Sequence, residues 1–201
     1  MRGASYNGEK KVKNVGQFDM SALVILAPEC ESMLAPYRRQ YTVDGAVGLP
    51  AHVTILYPFC DYKAYDDKLE LRLEATLSDV KPFTFTLSRL SRLAQNHVLC
   101  LEPSQCDELL TLITSVAKAF PNYPPYGGRI ALDQIRPHVT IAASPPTDDL
   151  AAVEKEFVES TLPLLPTRVV VNDLWLFLKS NGKWQQHMSF RLGGEKPVQQ
   201  K

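Results

Sequence analysis

The tetrapeptide His-Val-Thr-Ile occurs twice in the chain, at residues 52–55 and again at residues 138–141. Imidazole changes its charge near pH 6.5, so one histidine can accept a proton while the other donates one. A neighbouring hydroxyl can hydrogen-bond the non-bridging oxygens of a phosphate as charge builds in a transition state. The pattern therefore favours cleavage of a phosphodiester by a paired acid and base. A metal site would usually add carboxylates or a third ligand.

Each tetrapeptide reads as part of a β-strand, in which successive side chains point to opposite faces. His52 and Thr54 then share one face, as do His138 and Thr140, while the valine and isoleucine of each copy face the core. The polar faces need water, a cleft or a ligand. A single copy would be typical of an ordinary surface or core histidine. Two copies at matching positions of the chain indicate a shared site.

The elements that must position these motifs follow a similar order in both halves of the chain. The first half contains a buried strand at 21–27, a helix at 30–41, the motif strand at 49–57, a helix at 65–80, and strands at 83–90 and 97–101. The second half contains a helix at 104–120, the motif strand at 136–142, a helix at 148–161, and strands at 167–178 and 183–192. This order predicts an internal duplication, with both polar motif faces in one groove.

Composition narrows the class of protein. The 201 residues fit one domain, and the hydrophobic share of 45% is ordinary for a globular protein. Lys plus Arg and Asp plus Glu both number 22, so the formal charge is zero. This balance argues against a broad, non-specific nucleic-acid surface, although it leaves room for a small basic pocket that holds one phosphate. Residues 17–192 are expected to form the domain, and residues 1–16 and 193–201 to be disordered tails.

Cysteine usage and the N-terminus bear on location. The four cysteines form no Cys-x-x-Cys pair and no zinc-finger pattern. The first apolar run, residues 22–28, is too short to span a bilayer, and no signal-peptide pattern precedes it. We therefore expect a soluble, cytoplasmic protein with free thiols, no membrane association, no metal and no cofactor. A monomer is the expected oligomeric state.

With these motifs in place, the chain resembles the 2H phosphoesterase superfamily, which is named for two His-x-Thr/Ser-x motifs. It is most similar to the branch of 2′-5′ RNA ligase-like proteins and cyclic phosphodiesterases. The segments that carry the resemblance read LPAHVTILYPF at 49–59, PPYGG at 124–128 and RPHVTI at 136–141. The resemblance implies an α+β fold of two lobes, each a mostly antiparallel sheet backed by helices, with the active site in the groove between them. It also implies metal-independent chemistry on 2′,3′-cyclic or 2′-5′ phosphodiesters, with reversible RNA ligation in some members.

By position, the resemblance makes His52 and His138 the acid/base pair and Thr54 and Thr140 the phosphate ligands. Which histidine is the acid stays open at this stage, as does the direction of the reaction. Three further residues are weaker candidates for substrate contact, each with an ordinary structural alternative: Tyr57, Tyr126 and Arg136. Strand alternation places Tyr57 on the core side, unless the chain turns at that point. Tyr126 lies in a Pro/Gly-rich loop, which can be an ordinary turn or a wall of the site. Arg136 can be a solvated cation, and aromatic residues such as the two tyrosines can stack on bases.

Two classes of function follow. The first is an enzyme that acts on a cyclic nucleotide, on the cyclic phosphate of an RNA terminus or on a 2′-5′ linkage. The second is a non-catalytic module that holds a nucleotide in the same groove. A binding module needs no acid/base pair, so the presence of both histidines favours the enzyme. The zero net charge favours a nucleotide or a short RNA end over long RNA.

Overall fold

Eight strands form two antiparallel sheets of four strands each in the computed structural model, which describes residues 18–61, 65–95 and 97–194. The strands are β1 (Phe18–Leu26), β2 (His52–Leu56), β3 (Phe83–Leu93), β4 (Val98–Pro103), β5 (Val139–Ala143), β6 (Thr167–Val171), β7 (Asp173–Ser180) and β8 (Lys183–Arg191). The helices are α1 (Glu31–Tyr41), α2 (Val43–Ala46), α3 (Asp67–Leu77), α4 (Asp107–Ala119) and α5 (Leu150–Ser160). The expected α+β class with two helix-backed sheets is confirmed.

The two sheets do not coincide with the two halves of the chain. The first sheet has the strand order β2-β1-β7-β8 and the second sheet β5-β4-β3-β6, so each combines strands from both halves. Two helices also cross between the sheets: α1 follows β1 but packs against β5, and α4 follows β4 but packs against β2. The crossings tie the two lobes together.

Apolar residues explain why β1 is strand throughout. Leu23 and Ile25 point into the main core, whereas Ala22 and Val24 pack into a smaller cluster on the opposite face of the first sheet. Because both faces are covered, the run is continuously apolar rather than alternating. The smaller cluster also includes Trp184, whereas α1, α3, α4 and α5 pack buried apolar residues into the main core.

Helix α3 shows how local signals set the ends of an element. The Asp66 side chain accepts a hydrogen bond from the Leu69 N–H and caps the N-terminus. The buried leucines of this helix repeat every four residues, so one stripe faces the core: Leu69, Leu73 and Leu77. The helix spans Asp67–Leu77 and is shorter than the predicted 65–80.

The prediction of one strand over 167–178 is wrong. Residues 167–171 form β6 at the edge of the second sheet, whereas β7 pairs with β1 and β8 in the first sheet. The chain crosses between the sheets at Asn172. Val171 and Leu174 are both buried on either side of the crossing, so an apolar run alone does not reveal the break.

Other boundaries also differ from the predictions. Strand β3 continues to Leu93, well into the segment expected to be a turn, and the motif strand β2 begins only at His52. The predicted tail at 1–16 lies outside the described residues. Gly193 belongs to the folded part, because its N–H donates to the Leu77 carbonyl. No helix in the described ranges is long and apolar enough to cross a membrane.

Candidate active site

The two motif strands lie side by side where the sheets meet. Strands β2 and β5 are the edge strands of their sheets and contact each other. In each strand the apolar motif residues are buried, while the polar ones are half-buried: His52, Thr54, His138 and Thr140. The alternation predicted from the sequence is thus present in both strands. His138 itself stands one residue before β5 begins.

Both imidazoles are held by the same local hydrogen bond. The His52 Nδ1 lies 2.7 Å from the Pro50 carbonyl oxygen, and the His138 Nδ1 lies 2.8 Å from the Arg136 carbonyl oxygen. A carbonyl can only accept, so Nδ1 carries the proton in each neutral ring. The Nε2 atom of each ring is then left with its lone pair. This arrangement fits both rings for proton transfer through Nε2.

A third residue, Arg38 of α1, links the two motifs, and sequence reasoning missed it. Its Nη1 donates to the Thr140 carbonyl at 2.7 Å and its Nη2 donates to the Leu49 carbonyl at 3.1 Å. The same Nη2 lies 3.5 Å from the His52 Nδ1. The His52 Nδ1 already donates its proton to the Pro50 carbonyl. The approach of the Arg38 guanidinium to it is therefore an electrostatic contact rather than a hydrogen bond. The side chain is 3% exposed.

Two carboxylates, Glu31 and Asp44, favour the positive charge on Arg38. Burial lowers the pKa of Arg38 to about 10, against the opposing effect of the Glu31 and Asp44 carboxylates. The guanidinium therefore stays protonated at neutral pH. Glu31 also accepts a hydrogen bond from the Ala51 N–H at 2.6 Å, beside the first motif. In the sequence Arg38 is one of two adjacent arginines near the end of a helix, and nothing there distinguishes it from Arg39.

The surroundings of the two histidines differ. Burial lowers the pKa of His52 to about 3, and the Arg38 charge lowers it further in the same direction. Burial also lowers the pKa of His138. The Arg136 carbonyl and the Glu102 carboxylate act in the opposite direction, while the Arg136 and Arg38 charges add smaller lowering effects. His138 also contributes to the lowering at His52. At neutral pH the site thus holds a neutral His52.

This depressed pKa has a consequence for stability. The unfolded chain binds a proton at His52 near pH 6.5, whereas the folded chain does not until about pH 3. Stability is therefore expected to fall as the pH drops from 6.5, by up to about 1.4 kcal/mol per pH unit from this group. Urea unfolding at pH 7 and pH 5 measures the loss. We expect a smaller loss in His52→Gln, and an equal loss would contradict the assignment.

Arg136 lies beside the second motif, but its guanidinium is paired. Its Nε and Nη2 donate to the two carboxylate oxygens of Glu102 at 2.8 and 2.7 Å, and Arg89 adds a contact at 3.0 Å. Glu102 is 2% exposed. Burial acts to raise the pKa of Glu102, but hydrogen bonds from Ser91 and Arg136 lower it below its ordinary value. Glu102 is thus a buried carboxylate on the His138 side of the site.

Tyr57 turns toward the motif face of the first sheet. Its ring packs edge-on against Trp184 with centroids 6.2 Å apart, and its hydroxyl donates to the Met20 sulfur at 3.1 Å. It belongs to the smaller cluster with Val24, which is the register partner of Thr54. The turn follows the end of β2 at Leu56, where strict alternation stops.

Tyr126 lies next to the second motif, in the loop before β5. Its backbone N–H donates to the Tyr57 carbonyl at 2.6 Å, which fastens the loop to the end of β2. Its φ of 53° lies in the left-handed region, which is uncommon for a residue with a side chain. Tyr126 lines a cavity of about 480 Å³ together with His138. The structure therefore places Tyr126 beside the motif pair.

The motif side chains at the site are two imidazoles and two hydroxyls. Across the described ranges, no three His, Cys, Asp or Glu side chains come together as a group that could hold a metal ion. Two imidazoles with free Nε2 atoms and two hydroxyls can accept a proton, donate a proton and hydrogen-bond an anion. All four cysteines are free thiols, and three of them are buried.

Comparisons with known proteins agree with the fold. The sequence model of the 2′-5′ RNA ligase superfamily matches residues 26–183. TT0787 of Thermus thermophilus aligns with a TM-score of 0.54 at 16% identity, over 88% of this chain and 100% of that chain. E. coli LigT complexed with 3′-AMP aligns with a TM-score of 0.54 at 16% identity, over 88% and 98%. At these identities the likeness shows the fold. No curated protein sequence matches the chain significantly.

Proposed function

Since the chain belongs to the 2′-5′ RNA ligase superfamily of 2H phosphoesterases, we propose that it is a metal-independent phosphodiesterase. Its substrate is a 2′,3′-cyclic nucleotide, an RNA terminus with a cyclic phosphate, or a 2′-5′ linkage, with ligation as the reverse reaction. Membership of the family indicates a phosphoesterase- or ligase-type enzyme. The observation that carries the finer proposal is the identical support of the two imidazoles, each bound through Nδ1 to the carbonyl two residues before it.

The neighbouring charges suggest different roles for the two histidines. His52 lies beside the buried Arg38 guanidinium, which disfavours an imidazolium, so His52 takes the role of the base. At His138 the Glu102 carboxylate has a larger effect than the Arg136 charge or the Arg38 charge taken singly and favours an imidazolium, so we assign His138 the role of the acid. A bound phosphodiester anion raises the pKa of both rings by Coulomb attraction, which supplies the proton on His138.

In hydrolysis of a cyclic phosphate, the His52 Nε2 accepts a proton from water as the water oxygen forms a bond to phosphorus. The bond from phosphorus to one ribose oxygen breaks, and the His138 Nε2 donates its proton to that oxygen. Thr54 and Thr140 donate hydrogen bonds to the non-bridging oxygens as their charge increases. In ligation a 5′-hydroxyl of a second RNA end takes the place of water: His52 accepts its proton as its oxygen bonds to phosphorus, and His138 again donates to the ribose oxygen that leaves. The net charge of zero fits a nucleotide or an RNA end.

Turnover of nucleoside 2′,3′-cyclic monophosphates in the presence of EDTA tests this proposal. We expect the wild type to keep its full rate under chelation. Thr54→Val and Thr140→Val keep the shape but remove one hydroxyl donor each, so each is expected to lower kcat by about 100-fold or more. The isomer of the product identifies which P–O bond breaks.

The alternative function is a binding module, and the same experiment separates it. Saturable binding of the nucleotide without turnover, weakened by both valine variants, would identify a module that holds the phosphate without cleaving it. Turnover that EDTA abolishes and added metal restores would contradict the metal-independent mechanism.

A further inference from the structure

A cavity of about 480 Å³ opens beside His138, between the tip of the β3–β4 hairpin and the loop that precedes β5. Its volume lies within the range of about 300–1,000 Å³ that is usual for sites of small ligands. Leu93 and Val98, which face each other across the hairpin, supply one apolar wall. Ile135 supplies another. A group bound here would adjoin a phosphate held at the motif pair.

The charged residues of this cavity are already neutralised. Arg92 Nε donates to Glu154 at 2.8 Å, and Arg136 donates to both oxygens of Glu102. An anion would therefore have to compete with two carboxylates for these guanidinium groups. The cavity suits an uncharged ligand better than a second phosphate.

Two amides supply the hydrogen-bonding groups. Gln95 and Gln134 line the cavity, and within the described residues neither side chain has a hydrogen-bond partner. An amide offers both a donor and an acceptor, which is what the edge of a nucleobase requires. Tyr126 lines the same cavity, and aromatic side chains can stack on bases. The loop position of Tyr126 is held by its bond to the Tyr57 carbonyl.

We infer that this cavity is the nucleobase pocket of the enzyme. The base lies between Tyr126 and the apolar wall formed by the hairpin. The hydrogen-bonding edge of the base faces the side-chain amides of Gln95 and Gln134. The inference rests on the proposed function, because it places the base of the same nucleotide whose phosphate lies at the motif pair. The competing location is the motif face of the first sheet. There, Trp175 lies in one row with Val24 and Thr54 across the paired strands.

Steady-state kinetics on two cyclic phosphates test the pocket. One is a nucleoside 2′,3′-cyclic monophosphate, and the other is the cyclic phosphate of methyl riboside, which has no base. We expect Gln134→Leu to raise KM for the nucleoside substrate by about three- to tenfold, through loss of a hydrogen bond. Val98→Phe fills the cavity and is expected to raise KM at least as much. Neither variant should change the kinetics of the base-free substrate.

Two variants serve as controls. Gln185→Leu makes the same substitution on β8, away from the cavity, and should leave both substrates unaffected. Trp175→Leu tests the competing location. A rise in KM for the nucleoside substrate in Trp175→Leu, with Gln134→Leu and Val98→Phe equal to the wild type, would overturn the pocket and place the base on the first sheet.

A failure of the proposed function would be seen separately. If the wild type turned over neither cyclic phosphate, the proposed action on cyclic mononucleotides would fail, and calorimetry would still test the pocket. In that case nucleoside 3′-monophosphate should bind more tightly than ribose 3-phosphate, and Gln134→Leu should weaken only the former. Equal binding of the two ligands would overturn the pocket.

Discussion

Replacement of His52 or His138 by alanine is expected to lower kcat on a 2′,3′-cyclic phosphate by about 100- to 10,000-fold, with the fold intact. The range follows from the usual contribution of one positioned acid or base. Each ring makes a short hydrogen bond to a carbonyl two residues away, so its removal disturbs little beyond its own strand end. Rates and thermal unfolding of each variant measure the two effects separately.

His187→Ala is the matched control for this prediction. That imidazole is exposed on β8 and contacts the Tyr65 ring, away from the motif strands. Its loss should leave kcat unchanged. The kcat of the double variant of His52 and His138 should be only slightly below that of the less active single variant. The effects of replacing two groups that act as a unit are not additive. Wild-type rates in either single variant would refute the two-histidine mechanism.

Arg38→Met is expected to cost stability as well as activity. The buried carbonyls of Leu49 and Thr140 would lose their donors, and an unpaired buried carbonyl costs about 1–3 kcal/mol. For the two carbonyls together we therefore expect a loss of about 2–6 kcal/mol in the free energy of unfolding. Urea denaturation measures this loss. Arg39→Met, next to it on the exposed side of α1, should cost little.

A second measurement separates positioning from mere stability. The Arg38 charge lowers the pKa of His52, so Arg38→Met should raise that pKa above about 3, toward its ordinary value. Burial remains in the variant, so the rise should be partial. NMR titration of the ring protons of His52 measures the shift, with Arg39→Met as the reference. An unchanged His52 titration in a folded Arg38→Met protein would mean that Arg38 has no electrostatic role at the site.

The sequence alone identified the four motif residues and the class of fold. The signals responsible are local: strand alternation places His52 with Thr54, and the repeated tetrapeptide marks a second equivalent strand. Apolar runs and helical stripes located most of the elements for the same reason, since burial of one face follows from the spacing of neighbouring residues. The turn of Tyr57 toward the motif face had no such signal, because it occurs where the strand ends.

Only the tertiary structure decided how the lobes are assembled. The crossing at Asn172 and the packing of α1 on β5 depend on contacts between residues far apart in the chain. The same is true of Arg38, which is 102 residues from the Thr140 carbonyl that it binds. The pairing of Arg136 with Glu102 likewise joins the loop before β5 to β4. Spacing along a chain encodes which side chains share a face, but burial and charge depend on what packs against that face, and this determines how the two histidines differ.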